Sequence, residues 1–223
     1  MTFATEFIPS GLTQSTPISN TFIASGKLPV MEQFYTVQGE GYYSGTSAYF
    51  IRLAGCDVGC VWCDVKDSWP VTDDQYISIS EIVNQAQSHP ARVVVITGGE
   101  PFMYDLNNLI DLLHESGFRV HIETSGAYPL SGTPDWVCVS PKKFKSPLKE
   151  VLEIADELKV VVFNTSDVKW AEDNAAFVNE NCRLFLQPEF EKSTKLLPLI
   201  VDYVKQNPLW RISLQTHKFI GIP

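Results

Sequence analysis

The chain has 223 residues, 44% of them hydrophobic, and a formal net charge of −9, which suits one packed domain and argues against broad binding to nucleic-acid phosphates, a task for Lys and Arg. No apolar run reaches the ~18 residues of a membrane-spanning helix. The first basic residue is Lys27, so no basic leader segment is expected, and the expected location is the cytoplasm.

Residues 1–27 are rich in Ser and Thr with little periodicity. They read as an N-terminal extension, either a flexible tail or an arm that packs on a partner subunit, ahead of a domain over 28–223. From Glu32 onward, apolar runs alternate with helical patterns. Ala48–Leu53 reads as a strand. Arg92–Thr97 is a continuous β-branched run, as for a strand buried on both faces. Leu106, Leu109, Ile110 and Leu113 follow at helical spacing. Strands are then predicted over Arg119–Glu123, Trp136–Val139, Leu158–Phe163, Leu184–Gln187 and Arg211–Gln215, with helices over Asp167–Val178 and Lys195–Lys205. The alternation predicts βαβ units and a parallel sheet.

Polar clusters follow the strand ends: Thr97-Gly-Gly-Glu-Pro101, Glu123-Thr-Ser-Gly126, Ser140-Pro-Lys142, Gln187-Pro188 and Gln215-Thr-His-Lys218. Ligand sites of parallel α/β folds gather at the carboxyl ends of strands, so the five clusters are expected to share one rim.

The densest chemistry is Cys56, Cys60 and Cys63, a C-x3-C-x2-C array. Five cysteines in all, an odd number, with three clustered, suit reduced thiols on a metal better than disulfides. Ferredoxin clusters and structural zinc sites take four ligands; three thiolates leave a metal corner open for chemistry. A zinc knuckle lacks a fourth ligand here, since His89, His114, His121 and His217 all lie outside its short spacing. Cys138 and Cys182 read as core positions. In Thr97–Pro101 the glycines let backbone approach a ligand closely, and Glu100 is placed to receive a ligand ammonium.

The cysteine array with the downstream Gly-Gly-Glu-Pro turn resembles the radical S-adenosylmethionine (SAM) superfamily. Phe34-Tyr-Thr-Val-Gln-Gly-Glu-Gly41, Phe50-Ile-Arg-Leu-Ala-Gly-Cys56 and Gln215-Thr-His-Lys218 narrow the resemblance to the 7-carboxy-7-deazaguanine synthase family, over roughly Glu32 to Pro223. The resemblance implies an α/β fold, a partial open (β/α) barrel of the radical SAM type. It implies one 4Fe–4S cluster on Cys56, Cys60 and Cys63, with SAM on its fourth iron. The activity implied is a carbon–nitrogen lyase of queuosine and deazapurine biosynthesis. It turns 6-carboxy-5,6,7,8-tetrahydropterin into 7-carboxy-7-deazaguanine, with loss of ammonia and regeneration of SAM.

Carried over by position, SAM meets Trp62, Asp64, Gly99, Glu100, Ser140, Pro141, Lys142 and Gln187. The pterin meets Val37, Gln38, Gly39, Arg52, Thr97 and the terminal Pro223. Arg52 suits a carboxylate or carbonyl edge through its planar fork. A homodimer and a flavodoxin-like reductant are implied partners, with no nucleic acid and no membrane. The chain departs from the family at Val65, where a Thr or Ser hydroxyl commonly helps to bind Mg2+; Asp64 or Asp67 is the candidate substitute ligand. Two other classes stay open: another radical SAM enzyme, such as a glycyl-radical activase, or a non-enzymatic iron–sulfur or zinc module.

Overall fold

A computed structural model describes residues 26–223. The extension read from residues 1–27 lies outside the described residues except for Gly26 and Lys27, and Lys27 already opens the first strand. In chain order the elements are β1 (Lys27–Val37), β2 (Ser47–Leu53), β3 (Tyr76–Ser78), α1 (Ile79–Gln87), β4 (Val93–Gly98), α2 (Asn107–Glu115), β5 (Arg119–Thr124) and β6 (Trp136–Val139). They continue as α3 (Lys149–Glu153), β7 (Glu157–Val162), α4 (Ser166–Ala175), β8 (Arg183–Pro188), α5 (Ser193–Gln206), β9 (Trp210–Ile212) and α6 (Thr216–Ile220).

These strands form one sheet in the order β3-β1-β2-β4-β5-β6-β7-β8-β9. From β2 to β9 every neighbouring pair is parallel, as the apolar runs predict. The departure is at the N-terminal side, where β1 pairs antiparallel with both β2 and β3. Its sequence, KLPVMEQFYTV, carries Pro29 and charged residues, and β3 covers it only over Lys27–Pro29. β1 is thus half an edge strand, where such residues are tolerated. Helix α1 also lies outside the predicted elements, although Ser78 accepts from the Glu81 N–H at 3.3 Å and Ile79, Ile82, Val83 and Ala86 are buried along one face. At the other end, Arg211–Gln215 is not one strand: β9 stops at Ile212 and Gln215 becomes the residue before α6.

Period-2 alternation divides the sheet into two faces. Ile51, Leu53, Ile96, Ile122, Leu158, Val160 and Leu186 point into the core with Leu109, Ile110 and Leu113 of α2. The intervening Arg52, Thr97, Glu123, Lys159 and Gln187 line the concave side instead. The sheet does not close on itself. Segments at the ends of β1 and β9 span its open side. Thr216 donates N–H and Oγ1–H to the Gly39 carbonyl at 2.9 and 2.8 Å, the Gly41 N–H reaches Ser213 Oγ at 2.9 Å, and Thr36 Oγ1 donates to the Pro223 oxygen at 3.3 Å. The architecture is a partial, open barrel.

Candidate active site

One cavity of about 460 Å3 fills the concave side, within the range of small-molecule and cofactor sites. Three thiols that are not joined by disulfides reach it: Cys56, Cys60 and Cys63. Their loop hangs between two strand ends. Gly55 N–H donates to the Ser68 carbonyl at 2.7 Å and Cys56 N–H to that of Trp69 at 3.3 Å. Tyr104 OH donates to the Ala54 carbonyl at 2.7 Å. From β4, Gly99 N–H reaches the Leu53 carbonyl at 2.9 Å and Glu100 N–H that of Gly55 at 2.8 Å.

The two glycines of Thr97–Pro101 act on the cysteine loop itself. A Cβ on Gly99 would run into the Gly55 carbonyl, and one on Gly98, with φ +124°, into the backbone of Leu53. Glu100 also differs from the expected open acceptor. It is 1% exposed. Its Oε1 accepts from Phe102 N–H at 3.2 Å and Thr124 Oγ1 at 2.5 Å, and its Oε2 from Ser125 N–H at 2.8 Å and Ser125 Oγ at 2.5 Å. Its carboxylate ties the end of β4 to the Glu123-Thr-Ser-Gly126 turn.

The floor is the loop after β1. Gln38 Nε2 donates to Glu123 Oε1 at 3.1 Å. Lys159, 2% exposed, donates to Glu40 Oε2 and Glu123 Oε2, both at 2.6 Å. Gln215 Nε2 adds a bond to Glu40 Oε1 at 2.9 Å. Burial works against the Glu40 carboxylate, but the Lys159 ammonium holds its pKa well below the usual value. Burial likewise works against the Lys159 charge, and the acidic groups around it, Cys138 and then Glu123, Glu40 and Glu157, hold it well above the lysine range. Gly39 has no room for a side chain, because a Cβ there would meet the His217 imidazole. Glu40, Lys159 and His217 were not singled out from sequence as site residues. The available signal was a lysine at an inward position of the apolar run ELKVVV.

Of the residues expected at the site, Val37, Gln38, Gly39, Arg52, Thr97 and Pro223 line the cavity, as do Trp62, Asp64, Gly99, Glu100, Ser140, Lys142 and Gln187. Pro141 does not: it is buried behind the wall, its carbonyl accepting from Trp170 Nε1 at 3.4 Å. Arg52 faces the cavity while its Nε also meets Glu32 Oε1 at 2.6 Å. Lys142 Nζ donates to Ser140 Oγ at 2.5 Å and lies 5.3 Å from the Trp62 ring centre.

Three thiols on one short loop, all facing one cavity, are a donor set that fits a three-thiolate cluster. Burial pushes the Cys56 thiol up to about 11, a cost that a bound metal offsets by stabilising the thiolate. For magnesium the donors do not fit. Val65 lines the cavity without a side-chain oxygen, Asp67 is not among the lining residues, and Asp64 Oδ2 is taken by Lys218 Nζ at 2.7 Å and Gln215 Nε2 at 3.3 Å.

Residues 50–166 match the model of the radical SAM superfamily. The 7-carboxy-7-deazaguanine synthase of Flavobacterium psychrophilum is 54% identical over 196 residues, covering 88% of this chain and 93% of that relative. That of Synechocystis is 44% identical over 92% of this chain and 98% of its own. The crystal structure of QueE from Escherichia coli superposes with a TM-score of 0.79 at 35% identity, over 91% of this chain and all of that one. A three-cysteine loop at the mouth of an open barrel and relatives matched nearly end to end agree: the chain belongs to the 7-carboxy-7-deazaguanine synthase family of radical SAM proteins.

Proposed function

We propose that this protein converts 6-carboxy-5,6,7,8-tetrahydropterin to 7-carboxy-7-deazaguanine with loss of ammonia, in queuosine and related deazapurine biosynthesis. The carrying observation is that one cavity joins the three-cysteine loop to the polar set Gln38, Glu40, Arg52, Thr97, Glu123 and Lys159. The substrate's pyrimidinone ring is flat, with N–H donors and a carbonyl along one edge, and these side chains offer carboxylate acceptors and amide, hydroxyl and guanidinium donors. An activase acting on a partner protein does not require such a lining, and the relatives favour neither it nor a non-enzymatic iron–sulfur or zinc module.

The Cys56, Cys60 and Cys63 thiolates would hold the family's 4Fe–4S cluster, which with SAM bound would supply radical chemistry for removing hydrogen from the pterin C6. The chain holds the substrate in place and keeps water out. Lys159 fixes Glu40 and Glu123 as acceptors, and Gln38 is oriented by its bond to Glu123. Gly99, Ser140, Lys142 and Gln187 are proposed on the SAM side, with Trp62 and Asp64 flanking Cys63; Glu100 and Pro141 belong to the supporting wall. No step is routed through magnesium. Residues 28–223 form the catalytic domain in this reading, which also takes a flavodoxin-like reductant, a homodimer and a cytoplasmic location from the resemblance. Among the described residues no helix is long and apolar enough to cross a membrane.

Anaerobic reconstitution with iron and sulfide, followed by assay with the carboxy-tetrahydropterin and a chemical reductant, tests the reading. Deazaguanine product is expected, and Cys56→Ala, Cys60→Ala and Cys63→Ala should each abolish both cluster and product. Cluster-loaded protein that cleaves SAM yet never forms the deazapurine would refute the substrate.

A further inference from the structure

We infer that this chain meets the substrate carboxylate with the ammonium of Lys218 and works without a magnesium ion. The inference rests on the substrate reading above. The carboxylate is bonded to C6, the atom that loses hydrogen, so it must lie at the cluster end of the cavity. A cation that orients it must stand there too.

Lys218 stands at that end. Its Nζ donates to Asp64 Oδ2 at 2.7 Å, and Asp64 directly follows Cys63, the last thiol of the array. A second donation runs to Gln215 Oε1 at 3.3 Å. The Phe190 ring, 5.0 Å from Nζ, backs the ammonium on another side. An ammonium has three N–H donors, and among the described residues these two bonds leave one unclaimed. The side chain is 25% exposed and lines the cavity, so the remaining donor is available to a ligand there. Gln215 bonds both Asp64 and Glu40, which links Lys218 to the floor network and fixes its position before substrate arrives.

The same contacts work against a magnesium ion at this place. The ion is a small hard cation that takes oxygen ligands. Val65 has no side-chain oxygen, its carbonyl already accepts from Ser68 N–H and Oγ, and the one carboxylate beside it already holds a cation. A magnesium ion on Asp64 would stand close to the Lys218 charge, and like charges at such range repel.

The test is calorimetric binding of 6-carboxypterin, the oxidised and non-reacting analogue, to protein loaded with cluster and SAM. It is run with chelator and with millimolar magnesium, and pterin lacking the carboxylate serves as control. The wild type should bind 6-carboxypterin equally, within about twofold, in both buffers. Lys218→Met should weaken 6-carboxypterin by about tenfold to a hundredfold, the range of a charge-assisted hydrogen bond, and leave unsubstituted pterin unchanged. Lys218→Arg should recover most of the loss, which separates charge from folding. Val65→Thr, with Lys218 kept, reports whether a hydroxyl alone creates a magnesium response; none is expected while the ammonium is present, and Val65→Thr with Lys218→Met should show one. Magnesium tightening the wild type about fivefold or more, or Lys218→Met weakening both pterins alike, would overturn the inference. Wild type that binds neither pterin in either buffer would remove the substrate reading itself, and the inference with it.

Discussion

Lys159→Met should be the most damaging single change on the floor of the barrel, and its cost can be worked from the structure. Lys159 is 2% exposed and bonds Glu40 and Glu123 at 2.6 Å each, and those carboxylates are only 18% and 21% exposed. Methionine keeps the length and the apolar stem and removes the charge, so packing loss is small. What remains is two half-enclosed carboxylates whose other donors, Gln215 and Gln38, are neutral. Removing one partner of a buried pair costs about 3–5 kcal/mol. With a urea slope of about 2–3 kcal/mol/M, the midpoint should fall by about 1.0–2.5 M near pH 8. Glu40 sits below its ordinary value of 4.5, so the stabilisation by Lys159 is present above that pH and fades as pH drops through the lower folded value. The gap between wild type and variant should therefore narrow on acidification. Glu123→Gln added to Lys159→Met should restore part of the loss, because one stranded charge is gone. Anaerobic urea melts of the cluster-loaded proteins decide it. A shift below about 0.3 M near pH 8, or a double variant no more stable than Lys159→Met alone, would refute the reasoning.

Other expectations follow from single contacts. Gly98→Ala places a Cβ against the backbone of Leu53 at φ +124°; it should cost more than about 2 kcal/mol and lower iron per chain after reconstitution, which elemental analysis measures. His121 is 4% exposed with Nε2 unpartnered among the described residues. Burial, then the Arg119 charge, lowers it to about 4. The unfolded chain thus takes the proton first, and stability should decline from about pH 6.5 toward pH 4 by up to about 3 kcal/mol, a decline that His121→Phe flattens in thermal melts. Gly39→Ala should push the His217 ring from its seat and raise KM for the pterin more than it lowers kcat, as steady-state assays will read.

How much was legible in the sequence depended on how local the cause was. Strands β4 to β7 announced themselves through runs that carry Val or Ile, and β8 through Leu184-Phe-Leu186, because the core face of a buried strand has to be apolar. The cysteine array and the strand-end motifs were legible for the same reason, each being a short stretch that carries its own chemistry. The illegible parts depend on partners far away in the chain. Strand β1 carries Pro29 and charges and holds its place by pairing with β2 and, briefly, β3. Lys159 makes sense only beside Glu40 and Glu123, which are 119 and 36 residues distant. Lys218 meets Asp64 across 154 residues. Alternation along ELKVVV could flag Lys159 as facing inward; nothing local names what it faces.

The Gly-Gly-Glu-Pro turn shows why a motif can be recognised before its physics is. Read alone, its glycines suggest a backbone that touches a ligand, and Glu100 suggests an acceptor for one. In the fold, Gly98 and Gly99 bring β4 against Leu53 and Gly55, the two residues that launch the cysteine loop, and Glu100 gathers four donors, three of them from Thr124 and Ser125. The turn is therefore a clamp between the ends of β2, β4 and β5. A loop that presents three thiols to one cavity has few hydrogen bonds of its own; Cys63 N–H to the Cys60 carbonyl at 3.1 Å is the one backbone bond between its thiol-bearing residues. Its shape has to be imposed from outside, by neighbours that approach closer than any side chain allows. That requirement explains why a glycine pair on the neighbouring strand accompanies the cysteines: the array supplies the ligands, and the turn supplies the geometry that points them at one place.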